Sequence, residues 1–549
     1  MEEMIRELEE WRAKYLMLES ETSALKDETS QLKLLVKYYE EQLKHAKRKQ
    51  FAASSEHPGQ KILFLFDEAE NEAERRKPEP EIEEINYKRR KWTGKREEDL
   101  SGLPVERVEH TVPEEERICP SCGNEMHVMG HDVRRELEII PAQVKIVEHV
   151  TEVCSCRNCE RNETAVPIIK APLPEPPIKG SIASAGTLAH IAVQKYVNAV
   201  PLYRQQQELF LNGAILSRQT MANWMIYCSI NWLEPLYDLM KVRLLEETVL
   251  HADETVLQVL KEPGRASRTQ SYMWLYRTGA ESGVQIAIFE YQETRSSSHP
   301  KRFLGDWSGY LHTDGYAGYH SLPPGITVVG CWAHARRKFF DALKIIPPEE
   351  RTDSPSRTGL DYCDRLFRLE REFKQRKLKP EERHEARLEQ SRPIAEEFFS
   401  WAASVGHLPS SLFGKAIRYA LEQKAYLERV FLDGRLALSN NRAERSIKPF
   451  VIGRKNWLFS CSPKGAKASS VIYSIIETAK ENNLKPFEYL KHIFVAMPNI
   501  PKESYPTLLP WSEDIPDCCK RTPADDSAVS SPTTKNNAEL AEATSAAGE

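Results

Sequence analysis

Apolar residues recur at alternating spacings of three and four through residues 4–46. Met4, Trp11, Leu18, Leu25, Leu32, Tyr39 and Ala46 make one row, and Leu8, Tyr15, Thr22, Thr29, Val36 and Leu43 the other. A heptad of this kind predicts a helix that pairs with another, and Leu18, Leu25 and Leu32 at successive d-type positions favour two strands. Thr22 and Thr29 weaken that seam, and a lone amphipathic helix folded back on its own domain has the same pattern. The first unit is therefore read as a coiled-coil helix over 1–50. The period is lost over 51–116, a charged linker rich in Glu, Arg, Lys and Pro. A second linker, 166–180, holds Pro167, Pro172, Pro174, Pro176 and Pro177 and reads as a stiff extended spacer.

The pattern is helical over 181–247 and changes to alternation at Thr248. Five strand candidates follow at 248–260, 271–278, 284–291, 309–313 and 326–331, then a helix from Trp332 to about Ile346. Three strands in a row, then alternating helix and strand, describe a mixed-sheet α/β core whose first part spans 248–348. Residues 349–438 lose strand character and read as a charged helical insertion. In 439–480, the segment SNNRAERSIKPF begins with Ser439 and Asn440, which are good helix caps, and its helix is expected to stop before Pro449. A helical segment at 481–519 and a disordered tail at 520–549 complete the chain.

The 549 residues exceed what one core holds, and 40% hydrophobic residues exclude wholesale disorder. A mean hydropathy of -0.54 and the absence of any long apolar run exclude a membrane-spanning protein. The acidic start MEEMIRELEE lacks the apolar core of a secretory signal, so a cytoplasmic protein is expected. The net charge of -5 leaves the question of a nucleic-acid partner to local patches.

Of 11 cysteines, five lie between Cys119 and Cys159. Cys119 and Cys122 form one CxxC turn, Cys156 and Cys159 a second, and two such turns supply the four thiolates of a closed structural Zn²⁺ site. The interval between them exceeds the usual ribbon spacing, although LEIIPAQVKIVEHV could fill it as a hairpin. Cys154 could replace Cys156 as a ligand. The module is placed at 117–165. Further on, LYRQQQELFL, the break at Asn212-Gly213 and the Ser217-capped SRQTMANWMIY fit a helix-turn-helix. Its second helix would present Arg218, Gln219 and Asn223 to a groove, though any helical hairpin with a polar face has the same pattern.

Three acids carry the candidate chemistry. Asp253 interrupts an apolar strand, VLHADETVLQV, where an ionised carboxylate needs a cation or metal. Asp314 ends another strand before Gly315, and Glu444 lies on the helix that begins near Asn440. Two strand-borne aspartates and a helix-borne glutamate can meet at one sheet edge and hold two Mg²⁺ for phosphodiester chemistry. Taken singly, Asp253 could cap a turn, Asp314 could belong to a hairpin and Glu444 could pair with Arg445. Glu254, the rival ligand, should face away from Asp253 on a strand. Around Glu444, the basic residues Arg442, Arg445, Lys448, Arg454 and Lys455 alternate with Trp457 and Phe459. That pattern suits a nucleic-acid strand, with cations on phosphates and aromatics under bases. The same residues also describe a solvated basic face with a core tryptophan.

Taken together, HADET (251–255), LHTDGYAGY (311–319), CWAHARRKFF (331–340), NNRAERSIKPF (440–450) and GRKNWLFSCSPKGAKAS (453–469) resemble the insertion-sequence-66 family of DDE transposases. The zipper with FAASSE, the CPSCG…CRNCE module and LLPW at 508–511 extend the resemblance over nearly the whole chain. It implies an RNase H-like core with a helical insertion, and Asp253, Asp314 and Glu444 as the ligands of catalytic Mg²⁺ or Mn²⁺. It further implies cleavage at terminal inverted repeats, strand transfer into target DNA, a homo-oligomer through the zipper, and small accessory proteins from the same element. The setting implied is the bacterial cytoplasm, at the nucleoid when bound to DNA. Cys154, Phe51-Ala52-Ala53 and Cys518-Cys519 depart from the family pattern, and none touches the three acids. Two other readings share these features: a DNA-binding protein with an inactive core, and a metal-dependent nuclease that cuts without joining.

If the CxxC turns share one ion, Cys119→Ser should release about one zinc per chain, measured by metal analysis of the purified protein. An unchanged zinc content would reject the module.

Overall fold

In a computed structural model, the structure describes residues 11–12, 14–19, 22, 25, 26, 29, 36, 143–155 and 168–521. The zinc-ligand candidates Cys119, Cys122, Cys156 and Cys159, the charged linker 51–116 and the tail beyond residue 521 lie outside them. In the first segment the described residues are helical, and Trp11, Tyr15, Leu18, Leu25 and Val36 of the heptad rows are exposed. Thr22 and Thr29 turn their hydroxyls back onto Leu18 O and Leu25 O, 2.5 and 2.7 Å away, one helical turn earlier. Among the described residues no helix is long and apolar enough to cross a membrane.

The chain divides into two compact units, one within Met1–Asn86 and Tyr237–Thr478, the other within Tyr87–Leu236 and Ala479–Glu549. In the second, β1 (Val153–Ser155) pairs antiparallel with β2 (Ile168–Lys170), so the proline-rich segment begins as a strand. Helix α1 (Ala185–Tyr196) buries Leu188, Ile191 and Ala192 and packs on the helix Pro486–Ala496. Next come α2 (Leu202–Leu211) and α3 (Arg218–Cys228), separated where the sequence breaks: Gly213 takes φ +83°, and Ser217 Oγ accepts from Thr220 N at 3.0 Å.

The other unit is a five-stranded mixed sheet in the order β5-β4-β3-β6-β7. Its strands are β3 (Val249–Gln258), β4 (Gln270–Thr278), β5 (Ala287–Gln292), β6 (Gly309–His312) and β7 (Ile326–Val329). The first three form an antiparallel meander, while β6 and β7 run parallel to β3. All five lie where alternation puts them, within a few residues at their ends. Helix α4 (Trp332–Lys344) follows β7 and buries Trp332, Ala335, Phe339 and Ala342 on one stripe. The next stretch is helical, as its loss of alternation predicts, with Pro355–Gln375, Arg392–Ser404 and Leu412–Glu422 the longest helices. These helices do not stand apart. Phe398, Phe399, Ala416 and Ile417 share one core with Trp332 and Phe339 of α4 and Val329 of β7.

Helix α5 (Asn441–Trp457) corrects the expected stop, because Pro449 lies inside it. A proline there removes one backbone donor and strains the preceding turn, at about 3 kcal/mol. Burial of Ala443, Ile447 and Phe450 on one face carries the helix through. Arg445, whose carbonyl loses its partner, is exposed to water.

Both sheet edges are covered. On β7, Gly330 N donates to Tyr426 O at 3.0 Å and Arg429 Nη1 to Val328 O at 2.7 Å. On β5 the cover is a pair of hydroxyls from α6 (Pro463–Glu481): Ala287 N donates to Thr478 Oγ1 at 3.1 Å and Phe289 N to Ser474 Oγ at 2.8 Å. Four helical residues rise about 6 Å and two strand residues about 6.6 Å, so side chains at i and i+4 of a helix can match successive outward amides of an edge strand. The arrangement blocks pairing with another chain.

Replacing both hydroxyls (Ser474→Ala, Thr478→Val) leaves two buried amides without acceptors, at about 1–3 kcal/mol each. Urea unfolding is expected to show the lowered midpoint; a midpoint equal to the parent's would contradict the edge-capping role.

Candidate active site

The parallel register of β3 and β6 pairs His251 with His312. Continued by two residues, it sets Asp253 level with Asp314 on adjacent strand paths, which lie about 4.8 Å apart. Side chains two apart share a face, and the stacked rings of His251 and His312, 4.5 Å between centroids, mark that face. Beyond β6, Gly315 turns the chain at φ +92°. A Cβ there would lie 3.0 Å from Tyr419 Oη and 3.1 Å from Gln423 Oε1. Tyr419 Oη also donates to Asp314 O at 3.1 Å, so a helix of the insertion clamps the turn behind the second aspartate.

Helix α5 supplies the third acid. Glu444, Ile447, Lys448 and Val451 follow the i, i+3, i+4, i+7 stripe and line a cavity of about 390 Å³ together with Asp253, Asp314, His334 and Arg337. The three acids singled out in the sequence thus meet in one cavity. Asp253 Oδ1 accepts from Glu254 N at 2.8 Å and Asp314 Oδ1 from Tyr316 N at 2.9 Å, which fixes each carboxylate against its own backbone. Glu444 does not pair with Arg445. Its Oε2 accepts from Arg337 Nη2 at 3.3 Å, and its Oε1 lies 3.7 Å from His334 Nε2. Glu444 Oε1 is buried and has no hydrogen-bond partner.

Burial, with the Glu254 and Asp314 carboxylates adding to it, pushes the Asp253 acid well above the ordinary carboxylate range. Such a site favours a cation that restores the ionised form. Glu444 Oε1 without a hydrogen bond and two aspartates tethered through Oδ1 leave carboxylate oxygens that suit Mg²⁺ or Mn²⁺, which keep several waters and need few protein ligands. His334 Nε2 and Cys331 Sγ add softer donors beside Glu444. Burial likewise pulls the His251 imidazole down to about 3, so it is neutral, and its Nδ1 lies 2.9 Å from Asn440 Oδ1.

Glu254, expected to face away from Asp253, also lines the cavity, and its carboxylate has partners of its own. Its Oε2 accepts from Tyr319 Oη at 2.6 Å, and its Oε1 from Arg295 Nε at 2.8 Å. The Arg295 guanidinium stacks 3.7 Å from the Tyr316 ring centroid, and Tyr316 Oη donates to Arg295 O at 2.6 Å. This ion pair answers the rival acid's charge and braces the turn that carries Asp314.

The basic residues divide by position. Lys448 borders the cavity and Arg445 is exposed beside it. Arg442 bonds Gln285, and Arg454 Nη1 donates to Thr255 Oγ1 at 3.0 Å, so both are tied to the sheet. Lys455 is half-buried. Trp457 is half-buried edge-to-face on Phe450 at 5.5 Å, whereas Leu458 and Phe459 are exposed. In the helical unit, Arg218, Gln219 and Asn223 are exposed on α3, with the Arg218 guanidinium 5.8 Å from the Tyr203 ring centroid. Sequence reasoning missed His334 and Arg337 as neighbours of Glu444. The signal was present in CWAHARRKFF, where the buried stripe of α4 leaves His334 and Arg337, three apart, on a common polar side. Arg295 carried no local signal.

Residues 180–468 match the family described as Transposase IS66 family, and 116–160 match the zinc-finger binding domain of transposase IS66. Residues 474–511 match the IS66 C-terminal element, and 38–108 the family described as Transposase C of IS166 homeodomain. Among similar proteins are two from Sinorhizobium fredii (strain NBRC 101917 / NGR234). The uncharacterized protein y4qI is 30% identical over 425 residues, 74% of this chain and 76% of its own length. The uncharacterized protein y4hP is 30% identical over 424 residues, 73% of this chain and 74% of its own.

Arg295→Met would leave the buried Glu254 carboxylate without its cation and two of its hydrogen bonds. It is expected to lower stability by about 1–3 kcal/mol, and Glu254→Gln in the same chain to recover part of it. Additive losses in the double variant would contradict the pairing.

Proposed function

This chain belongs to the Transposase IS66 family, and from that premise we propose that it cuts and joins DNA at the ends of a mobile element. Asp253, Asp314 and Glu444 are its metal ligands and catalytic residues. The observation that carries this reading is the meeting of the three acids in one cavity, with Glu444 Oε1 buried and without a hydrogen bond. The strand order, an antiparallel meander continued by two parallel strands, supports an RNase H-like core.

A divalent pair bound by these carboxylates would supply an activated attacking oxygen and a stabilised leaving oxygen. The chain's own residues do the rest. Arg337 and Lys448 border the cavity and would neutralise the phosphate that enters it. In the first reaction, the oxygen of water bonds to phosphorus at the element end while the bond to the 3′ oxygen breaks, freeing a 3′-hydroxyl. In the second, that hydroxyl oxygen attacks a target phosphodiester, its proton leaves to solvent, and the displaced target strand departs with its own 3′-hydroxyl. Both are in-line substitutions at phosphorus and use the same acids.

The other parts find the DNA. Arg445 and Lys448 offer charge and Phe459 an exposed ring to a strand, and Arg442 and Arg454, tied to the sheet, add to the positive field with Lys455. Arg218 and Gln219 on α3 would read an inverted repeat. Structural Zn²⁺ would bind Cys119, Cys122, Cys159 and either Cys156 or Cys154. The N-terminal heptad, of which Trp11, Tyr15, Leu18, Leu25 and Val36 are exposed, would pair chains into a homo-oligomer that brings two element ends together, working with small accessory proteins of the element at the bacterial nucleoid.

A labelled element end, incubated with purified protein and Mg²⁺ or with EDTA, separates the readings. Metal-dependent cleavage followed by joining is expected, with cleavage abolished and end binding retained in Asp253→Asn. Cutting without joining would make the protein a nuclease, binding without cutting an inactive DNA-binding protein, and equal cleavage by Asp253→Asn would remove the metal-ligand role.

A further inference from the structure

Asn440 is the residue before α5 and is fully buried. An asparagine at a helix N-cap ordinarily turns its side-chain oxygen onto the first free amides of its own helix. Here it makes no such bond. Its side chain leaves the helix and reaches β3, donating through Nδ2 to Ala252 O at 2.8 Å, with Oδ1 2.9 Å from His251 Nδ1. Because Nδ2 serves Ala252, Oδ1 is the acceptor and His251 Nδ1–H the donor. Its backbone amide points to Cys331 Sγ at 3.2 Å, the residue at which α4 begins, and its carbonyl accepts from Glu444 N at 3.2 Å. One residue therefore touches the strand next to Asp253, the start of the helix that carries His334 and Arg337, and the first turn beneath Glu444.

The preceding residues repeat the attachment. Trp332 N donates to Leu438 O at 2.9 Å, and Ala437 N to His312 Nε2 at 3.1 Å, on the strand that leads to Asp314. Glu444 lies one helical turn from Asn440, so a shift at Asn440 moves the carboxylate with little leverage to absorb it.

We propose that Asn440 is a positioning residue of this site: it gives up its capping bond to hold the Glu444 helix at a set distance from the Asp253 strand. The inference rests on the three-acid metal site proposed above and adds the device that keeps its parts in register. Groups that orient metal ligands typically change metal affinity or activity by about 10- to 100-fold when removed.

The test uses the full-length protein and two variants. Asn440→Ser keeps a good N-cap but is too short to reach Ala252 and His251. Asn440→Asp keeps the shape but turns an oxygen toward Ala252 O. Mn²⁺ binding is followed by water-proton relaxation, metal-dependent cleavage on a labelled end, and folding by thermal denaturation. Both variants are expected to remain folded and to bind the end DNA. The Mn²⁺ concentration for half-saturation should rise about 10-fold or more, with a matching loss of cleavage. A role as helix cap alone would be satisfied by serine, so parental Mn²⁺ affinity and cleavage in Asn440→Ser would overturn the proposal. Loss of the folded core in both variants would overturn it too, by making Asn440 a residue of the core and not of the site. A parent protein that folds but binds no Mn²⁺ and does not cleave would instead reject the metal site itself.

Discussion

Carboxylates that share a desolvated cavity repel one another, and holding three of them together is the constraint on which this structure depends. Like charges repel more strongly where burial lowers the effective dielectric around them. Burial pushes the Asp253 acid upward, and the neighbouring Glu254, Asp314 and Glu444 carboxylates add to it. Left to itself the cluster would spread. Two attachments prevent spreading. Backbone amides hold Asp253 and Asp314 by one oxygen each, and Arg337 reaches Glu444 from a helix of its own. Arg337 answers only part of the charge that the acids bring together.

That demand explains features which otherwise look incidental. Glu254, next in sequence to Asp253, is a fourth acid in the same field, and its charge is matched by Arg295 and a hydrogen bond from Tyr319. Pro449 is tolerated inside α5 because the buried stripe of that helix is fastened to the sheet on both sides of it. The insertion helices close the β7 edge, hold the Asp314 turn through Tyr419, and share the core that anchors α4. The stretch read in sequence as a charged helical insertion is therefore part of what sets the acids in place.

Much of this was legible from periodicity alone. Alternation located the strands of the sheet, and its loss marked the helical stretch after α4, because both signals record which side of a backbone is dry. Asp253 stood out because a charge on an apolar strand conflicts with its surroundings. Ser217 and Gly213 also behave as their local chemistry dictates. Asn440 does not. The cap rule located the start of the helix correctly but assigned the wrong bond, since the side chain chose a partner far away in the chain over the amide three residues on.

The division between sequence and tertiary structure follows the range of the forces. By itself the sequence determined the elements, the order of the strands along the chain and the candidate acids, because these follow from side-chain period, local steric preference and the cost of burying charge. Only the tertiary structure decided that Asp253 and Asp314 are level, that Glu444 faces them beside His334 and Arg337, that Arg295 answers Glu254, and that a helix runs through Pro449. Each of those outcomes is a competition between a local preference and contacts made across many intervening residues, and a one-dimensional pattern contains only the first of the two competitors.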